Sequence, residues 1–228
     1  IQVTVEKVVT PVITGISDIY CSLGYVVDFT TEPDGGQLVG DLSSNSFNPS
    51  LLPEGDYMVF YRLTPEHCPI IEDTATFTVY PPLSVEPLSA ETNPVCYSET
   101  IELNAIVDGG YPENALTYIW SNGGPNAATN TQLYTETTEV TLTVDDGCSE
   151  PVVQSIELIV HPLYNYTAQT SAIDCLGEPG TIQLVFGTTD SYEISWNGSI
   201  GPNPYNGQTG EVVEITITDD NLCERDTV

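Results

Sequence analysis

The chain has 228 residues, of which 33 are acidic and only Lys7, Arg62 and Arg225 are Lys or Arg, for a net charge of −30. The acids are spread evenly, 11 in residues 1–80, 12 in 81–160 and 10 in 161–228. Such a surface repels nucleic acid and anionic membranes, no apolar run approaches the roughly 18 residues of a membrane span, and one lysine excludes a Lys–Asn isopeptide cross-link in every part of the chain.

The first element is Ile1–Lys7, a short strand with Ile1, Val3 and Val5 alternating onto one face. A linker, Lys7-Val8-Val9-Thr10-Pro11, opens a first repeat at residues 8–80. Its strands carry Tyr57, Val59, Tyr61 and Leu63, then Phe77 and Val79, at alternate positions. Tyr80-Pro81-Pro82-Leu83 leads into a second repeat, residues 81–160, where Ile101, Leu103, Ala105 and Val107 alternate, followed by Val140, Leu142 and Val144 and by Ile156, Leu158 and Val160. Val160-His161-Pro162-Leu163 opens the third, residues 161–228, with Ile182, Leu184 and Phe186 and then Val213, Ile215 and Ile217. No stretch has helical period. Period-two strands with turn signals between them predict an all-β chain of tandem immunoglobulin-like sandwiches. Asn122-Gly123 and Asn197-Gly198 are tight-hairpin dipeptides, each just after a strand tryptophan, Trp120 and Trp196, whose alternation with Tyr118 and Ile194 places it in a core. Proline stiffens the short linkers, so the sandwiches are expected to line up as an extended rod.

Six cysteines fall as Cys21/Cys68, Cys96/Cys148 and Cys175/Cys223, one pair per repeat, with separations of 47, 52 and 48. The even spacing predicts three disulfides within repeats, Cys21–Cys68, Cys96–Cys148 and Cys175–Cys223, and an oxidising compartment. Closing a loop of that length stabilises by about 4 kcal/mol on the chain-entropy model, which a sandwich of this size needs.

The two ends of the chain read as one phrase. Seven residues separate Cys68 from Ala75 and eight separate Cys148 from Ile156; across the join from Cys223 to Ile1 the count is six. Residues 1–7 are therefore expected to be the closing strand of a preceding repeat, and the third repeat to lack its own. With Ile1, Val3 and Val5 donated to the third repeat of a neighbouring copy, the expected partners are copies of the chain itself, end to end.

The phrases CYSETIELNAIV, LTYIWSNGG and EVTLTVDDGC at Cys96–Cys148 recur as CLGEPGTIQLVF, YEISWNGS and VVEITITDDNLC at Cys175–Cys223. They resemble the immunoglobulin-like and PKD-like repeats of large Bacteroidetes surface proteins, including gliding-motility adhesins. The first repeat resembles a sister repeat of those proteins through PDGGQLVGDLSSNSFNPSLLPEGDYMVFYRL at Pro33–Leu63, and has no strand Trp. The resemblance implies type IX export to the cell surface and a structural stalk or filament segment of a giant tandem-repeat adhesin or extracellular fibre. Two other readings stay open: a ligand- or glycan-binding adhesive module, favoured if Tyr111, Tyr134 or Tyr205 cluster on one face, and a subunit of a donor-strand-exchanged filament.

Catalytic chemistry has little to build on. The histidines are His67, beside Cys68, and His161, in a linker, and no nucleophile–base set assembles around them. The pairs Asp145-Asp146 and Asp219-Asp220 precede the second cysteine of their repeats; they are turn formers first and, with hard oxygen ligands and so acidic a chain, candidate calcium sites. No other cofactor is implied. Thr74 and Thr227, in Asp73-Thr74-Ala75 and Asp226-Thr227-Val228, match the Asp-Ser/Thr-apolar O-glycosylation signature of the resembled proteins and are candidate glycan acceptors; Thr is equally a good strand residue.

Overall fold

A computed structural model describes residues 9–66, 68–112, 116–171, 179–187, 191–207 and 211–227, the last without its side chain. Residues 1–7, expected to be donated as a strand through Ile1, Val3 and Val5, lie outside the described residues, as do His67 and Cys175. Among the described residues the chain is all-β, apart from one short 3-10 turn at Pro49–Leu51 whose Asn48 cap accepts from the Ser50 amide at 3.0 Å.

In the first repeat a four-stranded sheet runs Ile19–Cys21, Ile71–Tyr80, Gly55–Leu63, Gln37–Gly40. Two short antiparallel pairs, Val12–Thr14 with Thr30–Glu32 and Val27–Asp28 with Ser46–Phe47, complete the sandwich. The alternation does its expected work. Val59 and Tyr61 are buried on one strand and Phe77 and Val79 on the next; Val59, Phe77 and Val79 meet Tyr20, Val27, Phe29, Leu42 and Phe47 in one core. Stacked rings replace the missing tryptophan: Phe77 stacks on Phe47 at 4.8 Å and on Tyr57 at 5.0 Å, while Tyr20 meets both phenylalanines edge-on.

The second repeat has a sheet of Thr117–Trp120, Thr138–Asp145 and Val152–Leu158, and another of Ser89–Ala90, Glu99–Asn104 and Thr129–Tyr134. Ile101, Leu103, Trp120, Val140, Leu142, Val144, Leu158 and Val160 are all buried. In the third, Ser199–Ile200, Tyr192–Trp196, Ile215–Asp219 and Glu224–Thr227 form one sheet and Tyr166–Thr170, Gly180–Phe186 and Tyr205–Gly207 another. Trp196 is buried and stacks on Tyr205 at 5.0 Å. Asn197 and Gly198 both take positive φ and close a two-residue hairpin with Trp196 opposite Ser199. Asn122-Gly123 differs. Only Gly123 is left-handed, the Gly123 amide bonds to the Trp120 carbonyl at 3.1 Å, and the Asn122 side chain accepts from buried Asn130 at 2.8 Å, so the dipeptide turns the chain without a hairpin partner following it.

One feature recurs and sets where the first cysteines lie. The closing strand of the first repeat, Ile71–Tyr80, pairs antiparallel with Gly55–Leu63 and then, at its end, in parallel with the strand that carries the first cysteine: Ile19 opposite Thr78, Tyr20 opposite Val79, Cys21 opposite Tyr80. In the second repeat Val95–Cys96 lies parallel to Val160–His161 in the same way. Two compact units result. One draws on residues up to Leu88 with Asn104–Asn130 and Thr141–Ser155, the other on Ser89–Leu103, Thr131–Val140 and the chain from Ile156 on; they share out the second repeat between them.

Phe77 is 2% exposed and packs against three other rings. Phe77→Ala is expected to cost about 3–5 kcal/mol, read as a lower denaturant midpoint of the oxidised protein with an unchanged slope.

Candidate functional site: the stapled joints

The disulfides join Cys21 to Cys148 and Cys96 to Cys223, with Cα–Cα distances of 5.7 and 5.5 Å and the same sequence separation, 127. This corrects the pairing expected from spacing. Each bond links the first cysteine of one repeat to the second cysteine of the next, and Cys68 is a free thiol. The reason is the closing strand. Cys21 is held beside Tyr80, at the end of a ten-residue strand, whereas Cys68 lies in the loop before that strand begins. Ten strand residues span about 30 Å, and a disulfide needs Cα atoms within roughly 7 Å. Cys96, beside His161, and Cys148, before Val152–Leu158, occupy the same strand positions in the second repeat. A cysteine at the exit of one repeat can meet only what enters next.

The first joint lies within the first compact unit. The chain leaves Tyr80 through Pro81 and Pro82, and the Gly110 amide bonds to the Pro81 carbonyl at 3.2 Å. The Tyr80 ring meets Tyr111 edge-on at 4.9 Å, Leu83 is buried, and the Gln154 amide donates to the Val85 carbonyl at 2.9 Å. Gly110 sits at φ +75°, and a β-carbon there would come within 2.7 Å of an Asp146 carboxylate oxygen. The approach of that acid to the backbone is what requires glycine.

Asp146 is 1% exposed. Its carboxylate accepts from the amides of Ser149 at 2.6 Å, Tyr111 at 2.7 Å and Cys148 at 2.9 Å, and from the Ser149 hydroxyl at 3.0 Å. Burial pushes its pKa up, but the four donors outweigh burial and hold it below the ordinary 3.8. One acid thereby fixes the loop that presents Cys148 and ties it to the Tyr111 backbone.

The second joint lies within the second compact unit. Here Asp219 does the corresponding work, accepting from the Asn221 amide at 2.8 Å and the Cys223 amide at 2.9 Å. Buried Tyr164, just past the His161-Pro162-Leu163 linker, donates its hydroxyl to the Ile217 carbonyl at 2.6 Å. Burial first, then the negative charge of Asp219, pushes that phenol up to about 12 against the opposing Arg225. Arg225 donates to the Tyr164 carbonyl at 3.2 Å and stands 5.1 Å from the Tyr166 ring centre.

The remaining candidate residues are placed as follows. The Asp145 carboxylate accepts from the Gly147 amide at 2.7 Å and Asp220 from the Ser191 amide at 3.4 Å, so all four acids of the two pairs act on turn backbone. Among the described residues no group of three or more His, Cys, Asp or Glu is arranged to hold a metal ion. Tyr134 is buried, Tyr205 stacks on Trp196 and bonds Glu211 at 2.8 Å, and Tyr111 packs on Tyr80; each is occupied separately. Thr74 is exposed within the first closing strand, and Thr227 ends the strand Glu224–Thr227. The sequence marked Asp145-Asp146 but not Gly110, and the meeting of the two across the joint has no local signal.

The fold is an all-β, immunoglobulin-like sandwich fold braced by the disulfides Cys21–Cys148 and Cys96–Cys223. No protein-family model matches the chain, and no curated protein matches it. Among solved structures it is similar to the human desmocollin-1 ectodomain, with a TM-score of 0.23 and 9% identity over 95% of this chain and 57% of that one, so it spans little more than half that ectodomain's length.

Asp146→Ala removes the acceptor of three part-buried amides, those of Tyr111, Cys148 and Ser149, and is expected to cost about 1–3 kcal/mol at neutral pH. Because the folded carboxyl holds its proton less tightly than the unfolded one, its contribution is full above pH 3.8 and is lost as pH falls through the lowered value. Urea midpoints measured from pH 7 downward should fall on that acid limb in the wild type and fall less steeply in the variant.

Proposed function

We propose that the chain is a load-bearing stalk segment of a tandem-repeat extracellular surface protein. The observation that carries this reading is the overlap of the two disulfides. Cys96 lies inside the loop closed by Cys21–Cys148, and Cys148 lies inside the loop closed by Cys96–Cys223. Along the backbone Cys21 and Cys223 are 202 residues apart. The shortest covalent route crosses from Cys21 to Cys148, returns along 52 residues to Cys96, and crosses to Cys223. At roughly 3.3–3.6 Å per residue that route extends to roughly 170–190 Å, against roughly 670–730 Å for the backbone.

The route has two consequences under tension. Load passes through the second sandwich and bypasses the stretch from Cys68 to Cys96, with its closing strand and proline linker. The covalent network also survives any single backbone cut between Cys21 and Cys223, because two routes with no shared bond connect them. In-repeat bonds would do neither; they would shield the sandwiches and leave each linker as the single point of failure.

Disulfides of this kind belong to an oxidising, extracellular setting. A charge of −30 keeps neighbouring stalks apart. The resemblance to Bacteroidetes surface repeats points to the same place, and copies joined end to end are the partners this reading carries. Glycans on Thr74 and Thr227 would sit on the strands Ile71–Tyr80 and Glu224–Thr227 of such a stalk.

A tether experiment tests the reading. A protease site is inserted at Glu91-Thr92, exposed residues between Cys68 and Cys96, and the oxidised chain is held under force by its ends during cleavage. The tether should persist with its full extension unchanged, while the same cut in a Cys21→Ser background should break it. Rupture of the cut wild-type tether would overturn the reading.

A further inference from the structure

We propose that the hollow beside the second joint, between Tyr164, Asn165, Tyr192, Asp219 and Asn221, binds one neutral sugar ring. The inference goes beyond the stalk reading and uses none of its steps. Its ground is a difference between the two acids that hold the cysteine turns. At Asp146 both carboxylate oxygens are taken, by the amides of Tyr111, Cys148 and Ser149 and by the Ser149 hydroxyl. At Asp219 the two turn amides, Asn221 and Cys223, share Oδ1. Oδ2 makes no hydrogen bond among the described residues. The second joint thus leaves an acceptor oxygen over, held in place by the turn that its own carboxylate pins.

That carboxylate borders a hollow of about 240 Å³. Two fixed rings form part of the lining. Buried Tyr164 spends its hydroxyl on the Ile217 carbonyl at 2.6 Å and so offers carbon. Tyr192 stacks on Phe186 at 4.0 Å and stands 5.1 Å from the Tyr164 ring. Pro162 adds an apolar edge, and the carboxamides of Asn165 and Asn221 add polar ones. The Asn165 carbonyl accepts from the Gly187 amide at 3.3 Å, and the Asn221 amide is held by Asp219, so both backbones are anchored. Neither carboxamide is hydrogen-bonded among the described residues. Every one of these residues belongs to the second compact unit.

The polar set selects the ligand. A sugar hydroxyl donates to a carboxylate and accepts from a carboxamide, and a carboxamide can do both. One carboxylate with two carboxamides therefore matches neighbouring hydroxyls on one ring, while the C–H face of a pyranose lies against tyrosine carbon. An anion is repelled by Asp219 and by a chain of charge −30. A cation finds one carboxylate beside two neutral heads, with Arg225 already bonded to the Tyr164 carbonyl at 3.2 Å. Clefts for drug-sized molecules hold about 300–1,000 Å³. A hollow below that range suits a single ring rather than a chain of them.

The test titrates the oxidised, nitrogen-15-labelled chain with the methyl glycosides of glucose, galactose, mannose and N-acetylglucosamine, and separately with choline chloride, and reads amide shifts by NMR. At least one glycoside should move the Asn165, Asn221 and Cys223 amides along one saturable curve, with a Kd in the millimolar range. Asp219→Asn keeps an Oδ1 acceptor for the two turn amides and replaces Oδ2 with a donor. It should raise that Kd about tenfold, as the loss of one hydrogen bond to a charged acceptor does. Asn165→Ala removes a side chain with no hydrogen bond among the described residues, and should weaken binding several-fold while the thermal midpoint stays unchanged. Four results would overturn the proposal: no saturable shift with any glycoside, saturation centred on residues outside the hollow, a Kd unchanged in both variants, or saturation by choline alone. None of these bears on the tether, which depends on Cys21 and Cys96, so the two readings fail separately.

Discussion

The constraint from which the rest follows is the parallel pairing that the end of each closing strand makes with the strand carrying the first cysteine. A closing strand paired only in its antiparallel hairpin would leave the first cysteine of the repeat free to sit anywhere on the sandwich. Here the end of the strand also takes a parallel neighbour, with Cys21 opposite Tyr80 and Cys96 opposite His161. Backbone hydrogen bonds thus deliver each first cysteine to the exit of its repeat, next to the proline linker. The hairpin loop before the closing strand delivers each second cysteine to the entrance. Strand length keeps the two apart, and the disulfide is left to bridge the joint.

The joints also show how so acidic a chain fixes its carboxylates. With three Lys and Arg against 33 acids, ion pairs cannot serve most of them. Backbone amides do so instead. Asp41 accepts from Met58 at 2.7 Å, Asp73 from Ile13 at 2.7 Å, and Asp146 and Asp219 from the cysteines they present. Amide donors are neutral at every pH and leave the surface charge intact. Such acids act as rigid pins for turns and strand edges while the molecule as a whole keeps its repulsion.

Much of the fold was legible. Ile101 and Leu103, Val140, Leu142 and Val144, and Ile215 and Ile217 alternate in sequence and are buried in space, because one face of a strand must be covered. Both tryptophans are core. The partner of each cysteine was not legible. A regular spacing of 47, 52 and 48 reports that a unit repeats, and any pairing that respects the repeat, inside a unit or staggered by one, leaves the same spacing. The choice is made by strand length and parallel register, neither of which has a residue-level signature. Asn122-Gly123 failed as a hairpin signal for a similar reason: the buried Asn130 amide, distant from the dipeptide in the local pattern, claims the Asn122 side chain.

The stagger also sets a clock. A bond with both sulfurs in one repeat could form once that repeat had emerged from the ribosome or an export channel. Here Cys21 must wait for Cys148, and Cys96 for Cys223, each 127 residues behind. Every first cysteine therefore spends an interval as a thiol on a repeat whose own strands are complete. Oxidation must trail translocation by more than a repeat, in strict N-to-C order. Arrival of too much oxidant too early would trap Cys21 in an adduct before its partner existed. Maturation of such a chain is a matter of matching the rate of thread to the rate of stitching.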